Sequence, residues 1–144
     1  MGKYKKIEKL SLKGLKFETT EIIIKDNIMT ITLARPEKKN AMNNVMMNEI
    51  NYALAYAKQE NSIRVVIIAA KGDIFCSGAD LSRSESDSNV PKLEDFDDIS
   101  LSLRHLYKPV ICKVQGSVFA GALLIVTNST HAISAKEATF SGSK

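Results

Sequence analysis

Residues 64–70 read RVVIIAA, an almost unbroken apolar run of strand length. Few folds accept such a segment. Without alternation it has no face to offer water, so it is expected as a strand covered on both sides, with helices above and below a sheet. The surrounding pattern agrees. EIIIKDNIMTITL at Glu21–Leu33 is two β-branched runs around Asp26-Asn27, residues that tolerate turn dihedrals, and it predicts a hairpin. Arg35-Pro36-Glu37 then stops the second strand.

A helix follows, capped by Asn43 or Asn44 and running to about Gln59. Val45, Met46, Ile50, Ala53, Leu54 and Ala57 recur at three and four residues, which buries one face. Met42, Met46 and Met47 read as core. Helical spacing returns at Ile99–Leu106. Pro109–Val114 predicts another strand and Gly121–Thr127 a buried apolar helix. Ala132–Ala135 is a last short strand. Alternating strands and helices with short turns define an α/β layered domain.

Charge adds less than its total suggests. The net +4 arises in a basic leader over residues 1–17: six lysines against one glutamate give the first sixteen residues a local +5. The remainder carries 14 basic and 15 acidic residues. Stacking aromatics are not interleaved with those lysines, so nucleic acid is not an expected partner. Residues 18–144 form the expected domain, interrupted at about 82–98 by an acidic, mobile surface loop. No apolar run approaches membrane-spanning length, and no signal-peptide core is present. Cys76 and Cys112 supply neither a disulfide framework nor metal-ligand spacing. A reduced, cytoplasmic protein without a metal is the expectation.

Conventional catalytic groups are scarce. His105 and His131 fall on a helix and beside a strand and read as structural. A Cys76–His105 nucleophile pair is conceivable, but Cys76 reads more simply as a small buried residue. No phosphate-cradling loop with a following lysine occurs. Backbone chemistry is the better candidate. Ser77-Gly78-Ala79-Asp80 follows a strand-like run, and Ala120-Gly121-Ala122 opens a helix. Both turns can aim amide hydrogens outward, and two such amides from separate segments can form an oxyanion hole.

Three strings, ITLARPEKKNAM, VVIIAAKGDIFCSGADL and KPVICKVQGSVFAGALL, occur in the order and at the separations of one family. The chain resembles the enoyl-CoA hydratase/isomerase, or crotonase, superfamily across about residues 18–142. The resemblance implies a ClpP/crotonase spiral of strand-strand-helix units, C-terminally truncated here. It also implies an acyl-CoA thioester as substrate, with coenzyme A part of that substrate and no separate cofactor. Homotrimers or hexamers are the family's usual assemblies.

By position, the amides of Ala79 and Gly121 would hold the thioester oxygen, one such donor being worth roughly 3–4 kcal/mol in the transition state. Lys39, Ala41, Ala79, Asp80, Leu81, Ser82 and Gly121 would border coenzyme A, and Arg35, Lys38 and Lys39 are placed to meet its phosphates. Two departures accompany the match. Hydratases of the family use two glutamates, and those positions hold Leu124 and Lys144 here. The chain is also shorter than the family's usual extent, which is expected to expose Ile125, Val126 and the PVICKV strand. The implied function is hydratase/isomerase-type enolate stabilisation. The alternatives are an inactive acyl-CoA-binding or interaction module, or a less common branch such as a decarboxylase.

Overall fold

A computed structural model describes residues 9–80, 82, 88–93 and 98–142. The hairpin forms as its residues dictate. Strands β1 (Thr20–Lys25) and β2 (Ile28–Leu33) pair antiparallel, with Lys25 opposite Ile28. The two residues between them, Asp26 (φ 52°) and Asn27 (φ 65°), are both left-handed, the geometry that suits a two-residue hairpin's twist. Helix α1 (Asn44–Gln59) starts where the Asn43 side chain accepts the Met46 amide at 2.9 Å. Its apolar stripe of Val45, Met46, Ile50, Ala53, Leu54 and Ala57 is buried as the spacing requires. At its far end the Lys108 ammonium donates to the Ala57 and Glu60 carbonyls, and the Glu60 carbonyl also accepts the Ile63 amide at 3.0 Å.

From α1 onward the chain repeats one unit three times. Helix α1 leads to β3 (Val65–Ala70) and β4 (Ile74–Cys76). Helix α2 (Ile99–Arg104) leads to β5 (Val110–Val114) and β6 (Ser117–Phe119). Helix α3 (Leu123–Thr127) leads to β7 (His131–Ser134) and β8 (Phe140–Ser141). Within each unit the first strand joins a five-stranded sheet of order β1-β2-β3-β5-β7, and the second joins a three-stranded sheet of order β4-β6-β8. Neighbouring strands from successive units are parallel. The chain therefore winds as a spiral of strand-strand-helix units.

Several elements differ from expectation. Strand β3 is covered fully on one face only. Val66 and Ile68 are buried against the helix side, whereas Val65, Ile67 and Ala69 are half-buried. They belong to an outer row, Thr30–Ile67–Ile111–His131, that grades from half-buried to exposed. The segment Gly121–Thr127 is not a buried helix. A 3-10 turn, Ala120–Ala122, precedes α3, and Leu124 is 54% exposed while Ala122 and Ile125 carry the buried face. Ile125, Val110, Cys112 and Val114 are buried, so the exposed large apolar residues described in this half are instead Leu101, Tyr107, Leu124, Ile133 and Phe140. Strands β6 and β8 emerge where the sequence shows no strand signal, because two or three residues hold no alternation to read.

Two segments expected as peripheral make specific contacts. Leu10 donates its amide to Gln59, Tyr52 donates its hydroxyl to Ser11 O, and Leu12 packs against the core. In the acidic segment, Val90 is buried and its carbonyl accepts from Asn48 at 2.8 Å. Asp98 caps α2 by accepting the Leu101 amide.

Candidate functional site

Three chain segments converge where β2, β4 and β6 end, the carboxyl edge at which open parallel sheets place ligands. The first is residues 35–42, bent by left-handed Lys39 and Asn40 (both φ 53°). Asn40 is fully buried and its carboxamide holds this bend. Its Oδ1 accepts the Arg35 amide at 2.8 Å, and its Nδ2 donates to Lys71 O at 2.8 Å and Ile74 O at 3.0 Å. The stretch Lys39-Asn40-Ala41 was expected to border coenzyme A, and the role of the Asn40 carboxamide in holding the bend was not anticipated. The signal available was an asparagine after two lysines, a residue type that tolerates left-handed backbone.

The second segment, Ser77–Asp80, runs parallel to the first. Ser77 N donates to Lys39 O, Met42 N to Gly78 O and Asp80 N to Met42 O, which makes a parallel bridge between Met42 and Ala79. In such a bridge the central residue of one strand spends both its peptide groups on the other. Met42 is that residue, so the Ala79 N–H is turned away from it. β6 lies along the other side of β4, and the Ala79 amide is thus directed to the side of the third segment, Phe119–Ala122.

That third segment abuts the second. A Cβ added to Gly78 (φ +99°) would stand 3.2 Å from Phe119 O and from Ala120 Cβ, and 3.5 Å from Gly121 N. Ala120 itself is left-handed (φ 50°), an uncommon conformation for a residue with a Cβ. Gly121 is the second residue of the 3-10 turn, so its N–H has no acceptor within that turn. Among the described residues no hydrogen bond uses the amides of Ala79 or Gly121. Ala79 and Gly121 are both exposed.

Beside these turns lies a cavity of about 590 Å³ lined by Glu37, Lys38, Lys39, Ala41, Ser77, Asp80 and Phe119. Lys39, Ala41 and Asp80 were expected there. Glu37, Ser77 and Phe119 were not, although each adjoins a segment the sequence singled out. Ser82 is exposed and bonds Asp80 Oδ1 through its amide (2.9 Å) and hydroxyl (2.6 Å). Leu81 and Lys144 lie outside the described residues. Leu124 occupies the solvent side of α3.

Arg35 does not face the cavity with Lys38 and Lys39. Its Nη1 donates to Ala41 O at 2.9 Å and to Asp80 Oδ2 at 2.7 Å, and both partners of the ion pair are largely buried. This differs from its expected place as a phosphate contact, since the side chain is largely buried and does not line the cavity. The hydrogen bonds from Ser82 and Arg35 hold the Asp80 carboxyl well below the usual carboxylate range, so it stays ionised.

Other sequence candidates resolve differently. The buried Cys76 thiol donates to Asn40 O at 3.1 Å, while His105 sits exposed at the end of α2, stacked on Tyr107. Burial pushes the Cys112 thiol up to about 11. No group of three or more His, Cys, Asp or Glu side chains gathers to hold a metal among the described residues. No helix among them is long and apolar enough to cross a membrane.

The enoyl-CoA hydratase/isomerase family model matches residues 23–144. The chain belongs to that family. A probable enoyl-CoA hydratase of Mycobacterium bovis is 34% identical over 126 residues, covering 78% of this chain and 43% of the relative. The 1,2-epoxyphenylacetyl-CoA isomerase of Escherichia coli is 28% identical over 128 residues, covering 81% of this chain and 47% of the relative. Among solved structures, an enoyl-CoA hydratase from Mycobacterium marinum matches with a TM-score of 0.74 at 27% identity, covering 85% of this chain and 60% of that one. The chain thus spans less than half the length of these curated hydratase/isomerase relatives. The spiral described above is the crotonase fold of those solved structures.

Proposed function

We propose that this chain binds an acyl-CoA thioester and stabilises negative charge on the thioester oxygen with the amides of Ala79 and Gly121. One observation carries the reading. Two exposed main-chain donors with no acceptor of their own come from different turns that touch through Gly78. When a proton leaves the carbon next to a thioester, its electron pair moves onto the carbonyl oxygen. Fixed amides aimed at that oxygen favour the enolate without reorganising, each contributing about 3–4 kcal/mol. Hydration and double-bond shift both pass through this charge, and the similar proteins include one named a hydratase and one named an isomerase of CoA thioesters. Lys38 and Lys39, exposed at the cavity rim, supply the cations a coenzyme A phosphate requires.

Proton transfer is the weaker half. Leu124 can neither donate nor accept a proton, and the other expected acid position is Lys144. The chain is therefore assigned enolate stabilisation without a carboxylate pair, and its hydration of crotonyl-CoA is negligible. A non-catalytic acyl-CoA-binding module is the second reading, favoured by Leu124 alone. Titration calorimetry with acetoacetyl-CoA tests binding, and the absorbance of crotonyl-CoA follows hydration. Expected are measurable binding, lost in Ala79→Pro because proline carries no amide hydrogen, and turnover far below an ordinary hydratase. Absence of acetoacetyl-CoA binding overturns the reading.

A further inference from the structure

Arg35 contacts both strands of the bridge that orients the Ala79 amide. Its guanidinium meets Ala41 O, one residue before Met42, and the Asp80 carboxylate, one residue after Ala79. It therefore staples the bridge diagonally from a nearly buried position. The bridge has just two backbone bonds of its own near the site, Met42 N to Gly78 O and Asp80 N to Met42 O. Ser77 N to Lys39 O is one further backbone bond between the two segments, on the side away from Ala79, so a charge-assisted fastening on the Ala79 side bears on how well residue 79 is fixed. Asp80 is itself steadied from outside by Ser82.

We propose that Arg35 is a positioning residue that, through Asp80 and Ala41 O, aims the Ala79 amide and makes no contact with coenzyme A. The inference rests on the reading of Ala79 as a donor to the thioester oxygen. Its chemistry differs from that of Lys38 and Lys39. Those cations lie at the cavity rim and act on affinity, whereas Arg35 acts on the direction of a hydrogen bond. Both of its contacts are made by one nitrogen, Nη1, so what the role requires is a cation at that point between the Ala41 carbonyl and the Asp80 carboxylate.

The test compares the wild-type chain with Arg35→Met, which removes the cation but keeps the length of the side chain, and, should that variant fail to fold, Asp80→Asn. Affinity is measured for acetoacetyl-CoA and its 3′-dephospho analogue. The ultraviolet absorbance of the bound enolate is then followed as pH rises and the C2 proton leaves to solvent. In both variants the enolisation midpoint rises by about one pH unit, a tenfold loss of enolate stabilisation. The ratio of the two affinities stays at its wild-type value. An unchanged midpoint overturns the proposal, as does an affinity ratio that collapses to one, which would mark Arg35 as a phosphate ligand. A wild-type chain that binds neither compound overturns the acyl-CoA reading instead. The positioning role is then judged from the ¹⁵N resonance of the Ala79 amide, supported by a shift in the variants and overturned if it does not move.

Discussion

Gly78 stands against Ala120 with little room for a methyl group between the two turns. The Cβ it lacks would meet Phe119 O and Ala120 Cβ at 3.2 Å, and the backbone at φ +99° is one that side-chain-bearing residues rarely adopt. Gly78→Ala is thus strained twice. It should lose about 1–3 kcal/mol of stability in denaturant unfolding. It should also lose acetoacetyl-CoA affinity, because the turns must part. Unchanged stability and affinity would show that the contact is not close in solution.

Glu49 is a carboxylate without solvent. It accepts the Glu18 and Thr19 amides at 2.6 and 2.9 Å and the Thr19 and Thr20 hydroxyls at 2.6 and 3.1 Å, which ties the start of β1 to α1. Replacing it with alanine strands four donors in the interior. Glu49→Ala should cost about 3–5 kcal/mol by urea unfolding. Glu49→Gln, which turns an amide group toward donors, should still be destabilising. A loss under about 1 kcal/mol for Glu49→Ala would mean that water reaches these donors.

Asp80 gives a signed pH dependence. Its folded-state pKa is lowered by Ser82 and Arg35, so its contribution to stability is present above the ordinary carboxylate value of about 3.9. Below that value the unfolded chain takes up a proton that the folded chain refuses, and stability falls as pH falls. The difference in unfolding free energy between the wild type and Asp80→Asn should therefore shrink between about pH 5 and pH 2. A difference that stays constant across that range would show that Arg35 is held by something other than the charge.

The two thiols should be silent in the native state. Cys112 is buried with its pKa raised to about 11, and Cys76 is buried against Asn40 O. At pH 8 an aromatic disulfide reagent should release no colour from folded protein and two equivalents after denaturation, since the thiolate is the reactive species. Rapid native labelling of one thiol would point to local opening of β4 or β5.

Legibility followed length and periodicity. Helix α1 was readable to within a residue of its cap, because the Asn43-Asn44 pair and six apolar positions at helical spacing agree, and the structure makes Asn43 the cap. The hairpin was readable from Asp26-Asn27 and its flanking β-branched runs. Strand β3 was found but its surroundings were overdrawn, since RVVIIAA looks the same whether one face or both are covered. The segments carrying Ala79 and Gly121 stood out as turns, yet nothing local told that they meet. Their contact depends on Gly78, on β4 and β6 being neighbours, and on both strands being too short to signal themselves. Arg35 was misplaced for a related reason. A basic residue beside two lysines looks like part of an anion site, and only the fold brings Asp80, 45 positions away, within 2.7 Å.

Each turn of the spiral lays one strand in each sheet before passing on, so the register of the sheets does not depend on the length of the segments between strand and helix. The stretch from Ser77 to Asp98 is the longest of these. It leaves the site's edge at Asp80 and returns at the cap of α2. Lengthening a surface connection costs little free energy, about 0.6 kcal/mol for each doubling. A change of length there leaves the register of every strand as it is. Such a molecule can vary one connection between its layers with the paired-sheet chassis carried forward intact.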